Sequence, residues 1–149
     1  YADIPREAFP AEKDATDGAI AIAAALARGA SELVLVGGLG GQADHTLGHF
    51  GLTLRLARDG FPTILTSGDE EAHAIVPGET QLDLAAGVRL SIVPFADFTG
   101  LDLSGVKWPL VQRDVPLGDT LTLSNVVTGP VRISLRAGYG MAIAYPHYD

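Results

Sequence analysis

Apolar positions change their spacing along this chain, and the change divides it. The Ala-rich run from Asp17 to Arg28 has strong helical propensity, with Thr16 or Asp14 to cap its start and Gly29 to stop it. Leu33-Val34-Leu35-Val36 is a short run of apolar residues that reads as a strand. Over 44–58, Leu47, Phe50, Leu54 and Ala57 recur at helical spacing, and Gly60 closes the segment. Gly48 and Gly51 inside that helix each cost about 1 kcal/mol relative to Ala. A second strand is predicted at 62–66. Helix, strand, helix, strand in this order predicts a parallel α/β arrangement.

Beyond Ser67 no helical period remains. Short strands are predicted at 71–76, 79–84, 88–94, 106–108, 120–124, 130–136 and 141–145. Turn signals such as Pro77-Gly78, Gly118-Asp119 and Gly129-Pro130 separate them. Thr80, Leu82 and Leu84 alternate with polar neighbours. Val131, Ile133 and Leu135 alternate with Arg132 and Ser134. Such strands bury one face, and many of them in a row predict an antiparallel β-sandwich or barrel. The fold class is therefore α/β plus β, the C-terminal portion of a parallel-sheet nucleotide-binding domain followed by a β-sandwich. The expected boundary gives domains 1–68 and 69–149.

Composition narrows the function. A length of 149 residues with 47% hydrophobic content supports a real core. A net charge of −8 argues against a nucleic-acid binder, which would present a basic face. No stretch reads as a signal peptide or a membrane span, and the Ala-rich run is too short and too well capped to be one. With no cysteine there is neither a disulfide framework nor a thiolate metal site. These features suit a cytoplasmic enzyme. The chain opens on Tyr1 and holds a single Met, Met141, so it is expected to be a processed or excised piece.

The chemistry concentrates in VGGLGGQADHTL, residues 36–47. Four glycines in five positions follow the 33–36 strand, and a helix follows them. Glycines at such a turn let the backbone approach an anion closely, and the helix start offers unpaired N–H groups and partial positive charge. The segment fits G-x-G-x-x-G/A but not a Walker loop, since no Gly-Lys-Ser/Thr follows. Upstream, Lys13, Asp14, Thr16 and Asp17 form a compact polar cluster. Helix capping accounts for one of them; together a lysine and two carboxylates suffice to hold a phosphate and a magnesium ion. In an open parallel sheet the start of helix 17–28 and the end of strand 33–36 lie on the ligand side. Lys13, Asp14, Asp17, Gly41, Gln42 and Asp44 are thus expected to line one crevice.

The segments KDATD, GGLGGQADHTL, GVKWPL and LSN, in this order across residues 13 to 125, resemble thiamine pyrophosphokinase. The resemblance implies an enzyme that moves pyrophosphate from ATP to thiamine, with Mg2+, in the cytoplasm, as a homodimer with a shared active site. It implies catalytic and metal work for Asp14, Asp17 and Asp44, and ATP binding by Lys13, Gly38, Gly40, Gly41, Gln42 and His45. It implies thiamine binding by Thr122, Ser124 and Asn125, and a structural or dimer role first for Trp108, with stacking on thiamine second. The family usually carries Arg where this chain has Gln42, which removes a fixed charge and a bidentate donor. It also carries an N-terminal stretch with further aspartates, so residues 1–149 on their own are expected to be inactive. Two other readings fit fewer residues. A dinucleotide-binding oxidoreductase fragment would use Asp69 for a ribose and leave KDATD and LSN unexplained. A non-catalytic β-sandwich module would leave the Gly-rich turn idle.

Overall fold

A computed structural model describes residues 14–146. They fall into two compact units, divided between Ala30 and Ser31. In the first, α1 runs Asp17–Ala27. Thr16 is its cap, accepting from the Ala19 N–H at 3.3 Å, and Asp17 stands in the first turn, where a negative charge is favourable. The Arg28 guanidinium closes the other end on the Ala24 carbonyl at 3.0 Å.

The second unit begins with β1 (Leu33–Val36), α2 (Ala43–Arg58) and β2 (Thr63–Thr66). β1 and β2 pair in parallel, Leu33 opposite Thr63 and Val36 opposite Thr66. After the turn at 67–70 the pairing becomes antiparallel. β3 (Glu71–Ile75) lies against β2, and β9 (Gly140–Tyr145) against β3. Beyond it come β4 (Gly78–Leu82), β5 (Arg89–Pro94), β6 (Phe98–Val106), β7 (Leu110–Val115) and β8 (Asn125–Leu135). The order is β1-β2-β3-β9-β5-β8-β6-β7, with β4 also on β8. The long β8 pairs with β5 at Asn125 and Val126, then passes on to pair with β6 and β4.

Two cores result. Ile75, Leu90, Ile92, Ala142 and Ala144 on one layer pack against Leu82, Leu101, Leu103, Val115, Val131 and Ile133 on the other, as in a sandwich. The second core sets Phe50 and Leu54 of α2, with Leu39, against Leu65, Ala72 and Met141 of β2, β3 and β9. One helix thus packs on strands from both sides of the 67–70 turn. The expected stripe on this helix shifts: Leu47 is exposed, and Thr53 and Leu56 are buried with Phe50 and Leu54.

The strand predictions at 71–76, 79–84, 88–94 and 141–145 match β3, β4, β5 and β9 to within two residues, and 130–136 covers the second half of β8, which begins at Asn125. Two differ. Residues 106–108 are the end of β6 and a turn, and 120–124 form turns rather than a strand. Asp119 Oδ1 accepts the Leu121 N–H at 2.9 Å, and Ser124 takes a φ of 58°, which breaks extended geometry.

His73 on β3 is largely buried, its Nε2 3.5 Å from a Glu71 carboxylate oxygen. Desolvation holds its pKa below the usual value, and Glu71 opposes that only in part. The unfolded chain then binds a proton more readily than the folded one, so stability is lost as pH falls from about 6.5 towards the depressed folded value. Urea midpoints at successive pH values should fall over that window, and His73→Gln should flatten the decline.

Candidate functional site

At the end of β1 the Gly37 N–H donates to the Thr66 carbonyl at 2.7 Å, extending the parallel ladder by one bond. The chain then turns through 38–42, with Gly40 and Gly41 at φ of 80° and 72°. Two side chains of α2 reach back to it. Thr46 Oγ1 donates to the carbonyls of Gly40 at 2.9 Å and Gln42 at 3.3 Å. His49 Nδ1 lies 2.9 Å from the Gly38 carbonyl oxygen; a carbonyl only accepts, so Nδ1 carries the proton. The loop carbonyls are thereby tied to the helix. Among the described residues no protein acceptor meets the amides of 39–44. Gln42 occupies the cap position of α2 and makes no side-chain bond to the helix. An uncapped helix start behind a glycine turn is an anion-binding arrangement.

Asp44 stands in the first turn of α2, exposed, with Oδ1 accepting the His45 N–H at 2.9 Å. His45 is exposed and meets the His49 ring edge-on, 6.4 Å between centroids. Gly38 is buried, where a Cβ would come 3.1 Å from Leu65 Cδ2. Asp14 and Asp17 are both exposed at the head of α1. Lys13 lies outside the described residues. Among the described residues no three His, Cys, Asp or Glu side chains come together as a metal cage.

In the β half, Thr122 is buried. Its Oγ1 donates to the Ile92 carbonyl at 2.6 Å, and the Ile92 N–H donates back to the Thr122 carbonyl at 2.9 Å. Ser124 is exposed, its N–H on Ser91 Oγ at 3.0 Å. Thr122 and Ser124, expected on one strand face, thus stand in different environments. Asn125 is 5% exposed. Its Oδ1 accepts from the N–H groups of Trp108 at 3.1 Å and Val126 at 2.9 Å, and its Nδ2 donates to the Trp108 carbonyl at 2.8 Å. Trp108 is 54% exposed, with Lys107 Nζ 4.6 Å from its ring centroid. The roles of Thr46 and of Asn125 towards Trp108 escaped sequence reasoning. The first had a signal, a threonine four residues after the helix cap; the second, a contact across 17 residues, had none.

A parallel strand–glycine turn–helix unit, continued by an antiparallel sandwich, defines an α/β protein with an anion-binding turn and an appended β half. Comparison with known proteins gives the class a family. The family model described as "Thiamin pyrophosphokinase, catalytic domain" matches residues 2–65, and the "Thiamin pyrophosphokinase, vitamin B1 binding domain" matches 73–139. The thiamine pyrophosphokinase of Bacillus subtilis (strain 168) is 33% identical over 119 residues, which is 78% of this chain and 56% of that protein. The crystal structure of thiamine pyrophosphokinase from Bacillus subtilis superposes with a TM-score of 0.83 at 29% identity, covering 93% of this chain and 66% of that one. That of thiamin pyrophosphokinase from Geobacillus thermodenitrificans gives 0.79 at 28%, covering 92% and 64%. The chain belongs to the thiamine pyrophosphokinase family, and it spans little more than half the length of the curated relative it matches. None of these relatives supports the oxidoreductase or the interaction-module reading. No helix among the described residues is long and apolar enough to cross a membrane.

Proposed function

We propose that this protein transfers the terminal pyrophosphoryl group of ATP to thiamine, giving thiamine diphosphate and AMP. The hydroxyethyl oxygen of thiamine attacks the β-phosphorus of ATP, the bond from that phosphorus to the AMP oxygen breaks, and the hydroxyl proton passes to a carboxylate. The observation that carries the reading is the set of 39–44 amides, met by no acceptor among the described residues, at the uncapped start of α2. Those amides hold phosphate oxygens, with Gly38, Gly40 and Gly41 giving close backbone approach and Gln42, His45 and Lys13 adding donors. Catalysis rests on positioning and charge stabilisation more than on covalent participation by the protein.

Asp14 and Asp17 would hold a magnesium ion: exposed carboxylates without nitrogen or sulfur donors suit it, and phosphate oxygens and water complete its shell. When bound, the ion neutralises charge developing on the transferring group. Asp44 is assigned the proton. Of the residues expected at thiamine, Ser124 has the exposed hydroxyl for direct contact, while Thr122 and Asn125 support it from within. The division of labour we assign, nucleotide in 1–68 and thiamine in 69–149, is supported by the match of a catalytic-domain model to 2–65 and of a vitamin B1 binding model to 73–139. Exposed Trp108, Val111, Leu117, Leu121 and Leu123 support a homodimer, and dependence on ATP supports a cytoplasmic location.

The test is product analysis. In a chain that also carries the family's N-terminal aspartates, ATP, Mg2+ and thiamine should give AMP and thiamine diphosphate in equal amounts, whereas residues 1–149 on their own should bind ATP without turnover. Release of ADP, or no thiamine-dependent turnover by that longer chain, would overturn the reading. A variant tests the phosphate site further: Gln42→Arg restores a charged bidentate donor at an exposed cap position, and the KM for ATP should fall about tenfold with kcat retained.

A further inference from the structure

β4 is paired on one side only. Among the described residues its partner is β8 alone, from Gly78 opposite Leu135 to Leu82 opposite Val131, and its other edge meets no strand. The N–H and C=O groups along a free edge are a ready template for one more strand. Beside this edge lies a groove of about 550 Å3, bounded by 79–84 on one side and by Thr63 and Ile64 of β2 and Glu71 and His73 of β3 on the other. No residue of the glycine turn lines it, nor do Thr122, Ser124 or Asn125.

The charge of the groove is one-sided. Glu71, Glu79 and Asp83 line it, and no lysine or arginine does. Along the edge the side chains alternate. Glu79, Gln81 and Asp83 are exposed, Leu82 is buried, and Leu84 packs partly on the sandwich core. A strand laid here follows the same period of two, so its outward side chains pass Glu79 and Asp83 and its inward ones pass Leu84 and Ile64. His73 Nε2, also at the groove, is buried and makes no hydrogen bond among the described residues, so a bound chain has a polar group to satisfy. A second copy of this protein paired edge to edge would set these carboxylates against their own kind, which is unfavourable. A basic strand meets them with the opposite sign, and the net charge of −8 draws it in from a distance.

We propose that the free edge of β4 is a docking site for an extended segment of another protein, one in which lysine or arginine alternates with apolar residues and which adds to the sheet as a further strand.

The probe is a capped peptide of about seven residues alternating lysine and valine, titrated into the protein by calorimetry. It should bind, and the same peptide with glutamate for lysine should bind at least tenfold more weakly. A lysine peptide methylated on its central backbone nitrogens keeps the charge and loses the pairing, and it too should bind at least tenfold more weakly. Glu79→Gln with Asp83→Asn should weaken the unmodified lysine peptide about fivefold and reduce its salt dependence, while the urea midpoint stays at the parent value because both side chains are exposed. Hydrogen exchange of amides within 78–84 should slow when the peptide binds. No binding of the lysine peptide would overturn the proposal, as would equal binding of the glutamate peptide. Equal binding of the methylated peptide would mean attraction without an added strand, and unchanged exchange in 78–84 would place the peptide elsewhere; either result overturns it. If the peptide instead splits a dimer of the protein, the edge belongs to a second copy and the proposal fails.

Discussion

Replacing Gly105 by Ala should destabilise the β half by about 2–5 kcal/mol, the sum of a left-handed backbone cost and an overpacking cost. Gly105 sits on β6 at φ of 77°, and a Cβ there would lie 2.1 Å from the Pro130 carbonyl oxygen and 2.6 Å from its carbon. Those are backbone atoms and cannot swing aside as a side chain would. The neighbouring β6–β8 pairs are Ser104 with Arg132 and Val106 with Val127, so 128–131 of β8 bulge against this one residue. Pro130, lacking an N–H, fits only such a break in the ladder. The cost is a large share of the stability of an ordinary domain, about 5–15 kcal/mol. Thermal unfolding should drop by roughly 10 °C or the variant should fail to accumulate. A midpoint within a degree or two of the parent would mean that β6 and β8 do not approach as described.

The same bulges explain which parts of the fold were legible. LVLV at 33–36 and the helical period over 44–58 declare themselves because each repeats a local rule without interruption. β6 does not. Its buried hydrophobic side chains are Phe98, Leu101, Leu103 and Val106, spaced by three, two and three, because register shifts interrupt its pairing with β7 and β8. No period of two survives that, and Gly100 and Gly105 read as turns. The hairpin is held instead by carboxylates. Asp102 takes the Gln112 N–H at 2.8 Å and its amide Nε2 at 2.5 Å, Asp114 takes the Gly100 N–H at 2.8 Å, and Asp97 the Leu117 N–H at 2.8 Å. In the sequence these aspartates look like loop residues. The opposite error arose at 120–124, where LTLS alternates convincingly. There the leucines face solvent, and Thr122 turns inward to reach Ile92, a contact 30 residues away.

The candidate site divides along the same line. The glycine turn and Asp44 were legible because a strand end, glycines and a helix start are adjacent in the chain. What organises the turn, Thr46 and His49 drawing the carbonyls of Gly38, Gly40 and Gln42 onto the helix, depends on how the loop closes. Tying down carbonyls determines what the remaining peptide groups present, and so makes the loop's conformation, more than its composition, the functional quantity.

For that reason Gly41→Val should have an effect contrary to that of Gly105→Ala. Gly41 also has a positive φ, 72°, but a Cβ there meets nothing within 4 Å. The fold therefore faces only the conformational cost, about 1–2 kcal/mol, and the loop can relax to avoid even that. A β-branched residue is driven out of the left-handed region, and the relaxed loop no longer aims its amides as the parent does. An anion held by several amides at once depends on all of them, and loss of one such preorganised donor costs about 100-fold or more in rate. Turnover of ATP by a chain that carries the family's N-terminal aspartates should thus fall at least that far, while the urea midpoint moves little. Loss of stability comparable to that of Gly105→Ala would show that the turn is packed against something. Retention of ATP turnover would show that the phosphates lie elsewhere. Measuring both quantities on both variants separates a glycine needed for packing from one needed for binding.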